Sequence, residues 1–222
     1  MKDNKDIVIG TVVMVAVVAL MVFFIGKSAS GPSGGASGGS LTANLSTISA
    51  SDWQQGGGST AKATLIEYAD FQCPACASYY SVVKQLTQDF GDSLRVVYRY
   101  FPLQQHQYGR LAAYAAEAAG KQGKFWEMHD MLFGNQSDWA DSSDAESIFI
   151  GYATTLGLNV DQFKTDLHSD SVAARVQSDY EGGFTAGVDS TPTFYLNGKK
   201  LANPATYNEF KSLISDAIGK NQ

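Results

Sequence analysis

The sequence predicts an α/β domain with a large helical insertion, preceded by one N-terminal transmembrane helix. Three features carry that expectation. Residues 7–25 form an unbroken apolar run, IVIGTVVMVAVVALMVFFI. Two β-rich segments, 61–69 and 94–101, bracket a helix-patterned stretch that opens at Cys73-Pro74-Ala75-Cys76. A long helix-patterned block then leads to a short hairpin and a last amphipathic helix.

The anchor comes first. Residues 7–26 carry no charge, and nineteen residues at about 1.5 Å each span roughly 28 Å, close to the hydrocarbon thickness of a bilayer. A cleaved signal peptide competes, with Ser28-Ala29-Ser30 as its cleavage candidate, but its apolar stretch is usually only about 7–15 residues. The expectation is therefore an uncleaved transmembrane anchor over 7–26. Lys2 and Lys5 before the span against Lys27 after it favour a cytoplasmic N-terminus, residues 1–6. The protein is then a single-pass protein of the cell membrane, with its domain on the extracytoplasmic side. Residues 27–45, which include SASGPSGGASGGS, are too polar and small to order themselves and form a flexible Gly/Ser linker. The domain proper runs over 46–222, with apolar residues of 45–53 docking on it.

Within the domain, residues 61–69 (AKATLIEYA) are rich in β-forming types and predict a buried strand. A helix follows from the cysteine motif to about Phe90, with Val82, Val83 and Leu86 on its apolar face and Gly91 as its stop. Residues 94–101 (LRVVYRYF) predict a second strand, ended by Pro102. The insertion, about 104–186, holds RLAAYAAEAAG, FWEMHDMLF, an Ile148/Phe149/Tyr152/Leu156 stripe and Val172/Val176/Tyr180. Residues 193–196 and 199–201 predict a hairpin around Asn197-Gly198, a dipeptide favoured in two-residue turns. Asn203 is expected to cap the final helix with Pro204 at its first position, and Tyr207, Phe210, Leu213, Ile214 and Ala217 lie on one face.

Composition excludes several functions. The chain has 222 residues and a net charge of −6, and all of that surplus follows residue 58. No basic excess is available to neutralise phosphates, which argues against nucleic acid as a partner. Two cysteines rule out a disulfide-stapled scaffold. A zinc site needs four ligands, and His106, His129 and His168 are scattered singly. No metal is expected.

The chemistry is concentrated in Cys73-Pro74-Ala75-Cys76. A cysteine at a helix N-terminus faces unpaired backbone N–H groups and the positive end of the macrodipole, which lowers its pKa. Pro74 suits the first turn because its missing N–H would be unpaired anyway. Cys76 follows by nearly one turn, within reach of a disulfide that opens and closes with little movement. The expected roles are Cys73 exposed and attacked, Cys76 shielded and resolving. A structural disulfide competes, but so short a loop removes little unfolded-state entropy.

Residues 65–76 (LIEYADFQCPAC) resemble the active-site segment of the DsbA-like thiol–disulfide oxidoreductases of the thioredoxin superfamily. Phe101-Pro102-Leu103, residues 118–126 (AAGKQGKFW) and Ser190-Thr191-Pro192-Thr193-Phe194 match the same family in the same order. The resemblance implies a thioredoxin fold with an inserted helical domain. It implies exchange with cysteine thiols of exported proteins through a Cys73–Cys76 disulfide, without other cofactors. Thr191-Pro192 matches the family's cis-proline loop, which with Pro74 and Ala75 shapes the substrate site. Glu67 matches the acidic residue beneath the cysteines. On an alternating strand it shares a face with Leu65 and Ala69, where burial would raise its pKa and suit it to relay a proton to Cys76. Ala75 stands where the strongest oxidases often carry His, which argues for less extreme oxidising power.

The expected function is a membrane-anchored oxidase of cysteine pairs, monomeric and recharged by a membrane redox partner. A reductase or isomerase using the same site, or a tethered substrate-binding or chaperone-like module without turnover, are the alternatives.

Overall fold

The computed structural model describes residues 48–220. The expected anchor and the linker over 27–45 lie outside them. Among the described residues, no helix is long and apolar enough to cross a membrane. The strands are β1 (Trp53–Gly56), β2 (Ala63–Ala69), β3 (Leu94–Tyr100), β4 (Thr193–Leu196) and β5 (Lys199–Lys200). Helix α1 (Pro74–Phe90) connects β2 to β3. Between β3 and β4 lie α2 (Gly109–Gly120), α3 (Phe125–Gly134), α4 (Gln136–Trp139), α5 (Ala145–Thr155), α6 (Val160–Leu167) and α7 (Asp170–Ala186), and α8 (Tyr207–Gly219) closes the domain. This is the expected α/β arrangement with its helical insertion.

The strands form one sheet in the order β1-β3-β2-β4-β5. The central pair β2 and β3 is parallel, as a helical crossover requires, and β1, β4 and β5 add antiparallel. Strand β2 is covered on both faces, which explains its nearly continuous apolar sequence. Ala63 and Leu65 pack with Val83 and Leu86 of α1 and with Phe210 and Ile214 of α8. Ile66 and Tyr68 pack on the other face with Val97, Tyr195 and Tyr180 of α7. The insertion shares one core with the ends of β2 and β3 and with Phe71 and Cys76, in which Met128, Leu132, Trp139, Phe149 and Phe163 are fully buried. Complete burial of such side chains stabilises by about 1.5–3 kcal/mol each.

Two elements depart from expectation. Strand β1 (WQQG) has little β-forming character and is specified by what Trp53 touches. Its ring stacks on Phe125 at 4.4 Å, and its Nε1–H donates to Glu117 at 2.7 Å. Gly120 is what admits it, since a Cβ there would lie 2.3 Å from the indole. The last helix starts at Tyr207, later than the Asn203 cap implied. Thr206 is the cap, accepting from Glu209 N at 3.2 Å, while the Glu209 carboxylate accepts from Ala205 N at 2.8 Å. The Asn203 side chain instead donates to the Pro192 carbonyl at 2.8 Å, so a contact to the loop before β4 overrides the local capping signal. The Asn197-Gly198 turn forms as expected, with φ of 48° and 78°.

Candidate active site

The end of β2 delivers the chain to a tight turn, residues 70–73, before α1 begins. The buried carboxylate of Asp70 closes that turn by accepting from Gln72 N at 2.8 Å and from Leu103 N at 2.8 Å. The insertion holds it from the other side. The Gln136 side-chain amide donates to the carbonyls of Phe71 at 2.6 Å and Cys73 at 3.0 Å. Gln72 in turn donates to Ala140 O at 2.7 Å and accepts from Tyr108 N.

Cys73 is the N-cap of α1, with Pro74 in the first turn; Pro74 and Ala75 are exposed. Cys73 and Cys76 stand as free thiols. The expectation that Cys73 is exposed is corrected, because it is only 7% accessible against 0% for Cys76. The Thr191–Pro192 loop covers it, and its Sγ–H points to the Thr191 carbonyl at 3.4 Å. The peptide between Thr191 and Pro192 is cis, and Pro192 is buried. The Thr191 hydroxyl is buried with no hydrogen-bond partner among the described residues.

These surroundings separate the two thiols. The Cys73 thiol is brought down to about 5, first by hydrogen bonding from Cys76, then by Thr191 and the first N–H groups of the helix, against the opposing effect of burial. Burial pushes Cys76 well up, and its hydrogen bond with Cys73 and the negative charge there push it further. At neutral pH, Cys73 is therefore the thiolate and Cys76 the protonated partner.

Glu67 lies opposite Tyr98 on β3 and Phe194 on β4. It is 4% exposed, and burial pushes its carboxyl up to about 8. It opens on a cavity of about 60 Å³ between sheet, α1 and α3, lined also by Tyr98, His129, Lys84 and Asp130. Lys84 and Asp130, paired at 2.6 Å and both partly exposed, stand on the solvent side. Space for a water or two beside a buried acid gives its proton a way out.

Thus Cys73, Cys76, Glu67, Thr191 and Pro192 gather from three separate segments, with Pro74 and Ala75 on the rim. Asp70, Gln72, Gln136 and His106, whose Nδ1 lies 2.6 Å from Asp70, were not singled out for the site from sequence. Asp70 and Gln72 flank the motif, but the partners that give them a role are up to 68 residues away. Among the described residues, no group of three or more His, Cys, Asp or Glu side chains is arranged as metal ligands.

Residues 54–216 match the thioredoxin family. The chain belongs to that family. Its fold is that of DsbA-like solved structures. BdbD from Bacillus subtilis, in its oxidised form, superposes with a TM-score of 0.68 at 24% identity, over 76% of this chain and 94% of BdbD. A thioredoxin-like oxidoreductase from Silicibacter pomeroyi gives 0.65 at 25% identity, over 80% and 95%. The α-DsbA1 protein of Wolbachia pipientis gives 0.71 at 21% identity, over 81% and 96%. By sequence, the chain is also 40% identical over 159 residues to a Na+/H+ antiporter, NhaA 1, of Salinispora arenicola, covering 71% of this chain and 24% of the antiporter. The chain thus spans about a quarter of the length of the curated relatives it matches. In this thioredoxin-family chain the insertion does more than enlarge the domain, because Gln136 on α4 holds the turn that carries Cys73.

Proposed function

We propose that the protein is a membrane-anchored, extracytoplasmic thiol–disulfide oxidoreductase that oxidises cysteine pairs in exported proteins. The observation that carries this reading is the unequal cysteine pair, with the Cys73 thiol brought down to about 5 and Cys76 buried one turn away. A dithiol whose thiolate is stabilised is reluctant to be oxidised, so its disulfide is a good acceptor of substrate electrons.

In the oxidising direction a substrate thiolate attacks Cys73 Sγ, the Cys73–Cys76 bond breaks, and its electron pair goes to Cys76. Glu67, protonated near neutral pH, supplies the proton that Cys76 takes up. A second substrate thiolate then attacks the mixed disulfide and releases Cys73 as the stable thiolate. A membrane redox partner reoxidises the pair, and the tether keeps the domain within its reach. The relatives in which a matching segment is part of a Na+/H+ antiporter support a place beside the bilayer.

The test is oxidation of a dithiol peptide by the full chain. Cys73→Ser is expected to abolish turnover, and Cys76→Ser to accumulate mixed disulfides. Full activity of Cys73→Ser would overturn the mechanism.

A further inference from the structure

The turn that carries Cys73 is gripped from the insertion by a single amide group. Gln136 Nε2 donates to Phe71 O at 2.6 Å and to Cys73 O at 3.0 Å. A primary amide has two N–H donors, and both are engaged here. The two carbonyls stand on either side of Gln72, so the amide fixes the backbone dihedrals of Gln72 and Cys73 between them. Cys73 O also accepts from Ala77 N at 3.1 Å, the opening hydrogen bond of α1. Gln136 thus holds the residue at which turn becomes helix.

The mount of this amide is itself rigid. Gln136 opens α4, a single helical turn that ends on the fully buried Trp139, whose Nε1–H donates to Leu132 O at 2.9 Å. Ala140 O, just past that turn, accepts from the Gln72 side chain at 2.7 Å, so both ends of α4 meet the segment 71–73. In the disulfide form a covalent bond ties Cys73 to Cys76. The dithiol form has no such tie, and the place of Cys73 Sγ, 3.4 Å from Thr191 O, then depends on its backbone. The groups that favour its thiolate, namely Cys76, Thr191 and the N–H groups of Ala75 and Cys76, all act by hydrogen bonding. Hydrogen bonds weaken steeply once misaligned. The titratable neighbours of the turn are Cys76 on α1, Glu67 on β2, Asp70 with His106 beside it, and His129 of α3, packed on Phe71. Gln136 carries no charge and acts by geometry alone.

We propose that Gln136 is the positioning residue of the dithiol site, holding Cys73 so that its sulfur meets the donors of α1 and Thr191. This rests on the reading of Cys73–Cys76 as the exchanging pair. The helical insertion is then part of the redox machinery, because it governs how much of Cys73 is thiolate at a given pH.

The test is the thiolate titration of the reduced full chain by ultraviolet absorbance, with urea midpoints of the same variants. Cys76 titrates well above Cys73, so the absorbance reports Cys73. Gln136→Met keeps the length of the side chain and removes both donors. It is expected to raise the Cys73 pKa by about one pH unit, the equivalent of one lost hydrogen bond. Near the Cys73 midpoint, at about 5, that shift cuts the thiolate fraction about five-fold. Gln136→Asn retains the amide one methylene short and is expected to shift the titration the same way by less; it carries the test if the Met variant does not fold. Lowered urea midpoints with an unmoved titration would assign Gln136 a structural role and overturn the proposal, as would no change in either. Cys73→Ser, assayed for exchange with a dithiol peptide, separates the two levels. If it still turns over, the exchange reading fails; if it is inactive while the Gln136 variants titrate as the parent does, only the positioning role is lost.

Discussion

At the scale of single residues the account turns on who stabilises the Cys73 thiolate. The buried Thr191 hydroxyl makes no hydrogen bond among the described residues while Cys73 is a thiol, which leaves it to donate to the Cys73 thiolate, and a hydrogen bond to a charged group is worth about 1.5–3 kcal/mol. Thr191→Val is therefore expected to raise the Cys73 pKa by about one pH unit, read from the ultraviolet absorbance of the thiolate. Glu67 makes a prediction of opposite kind. Its carboxyl sits at about 8 in the native state against 4.5 in an ordinary environment. Between those limits the folded protein holds a proton that the unfolded chain has released, so stability falls as pH rises through the window and levels off above it. Each pH unit costs about 1.4 kcal/mol. Glu67→Gln removes the loss, so it should gain little at pH 4 and several kcal/mol at pH 8. Denaturant midpoints of the oxidised form, in which Cys73 does not titrate, measure this, and equal gains at the two pH values would contradict it. Motif and helix start are local and made Cys73 and Cys76 legible in the sequence, whereas Glu67 was singled out by the family resemblance, with strand alternation giving only its face. The accessibility of Cys73 was not legible, since the loop that covers it arrives 118 residues later.

At the scale of elements, local signals compete and tertiary contacts decide. Asn203-Pro204 is the helix start expected from the sequence, and the pair Thr206 and Glu209 is the one that caps it. The structure uses the second because Asn203 is hydrogen-bonded to Pro192. Thr206→Ala is expected to destabilise the protein by about 1 kcal/mol with no change in Cys73 reactivity. Asn203→Ala should reverse that pattern, shifting the Cys73 titration through the active-site loop while leaving the helix content unchanged. Circular dichroism and thiolate titration on the same two variants check both. Strand β1 was illegible for a related reason, since its four residues are held by Phe125 and Glu117 of the insertion. Strands β2 and β3, by contrast, carry near-continuous apolar sequences because both of their faces are covered.

At the scale of the whole molecule, the N-terminal entry of the domain is fixed to the sheet by a buried ion pair. Arg99 donates to Asp52 at 3.0 and 2.8 Å and to the Tyr68 hydroxyl at 2.9 Å. Removing the Asp52 carboxylate takes both of its hydrogen bonds from the buried guanidinium, and a hydrogen bond to a charged group is worth about 1.5–3 kcal/mol. Asp52→Ala should lower stability by that order in urea titrations, and Asp52→Ala with Arg99→Leu by less. With no other cysteine in the chain, stability rests on such packing and pairing, and every redox property belongs to Cys73 and Cys76. The central claim is that this pair oxidises its partners. Equilibration of the full chain with glutathione buffers measures its reduction potential. The account predicts a value clearly above that of thioredoxin, about −270 mV, towards those of strong oxidants near about −120 mV. A value at or below the thioredoxin figure would contradict it.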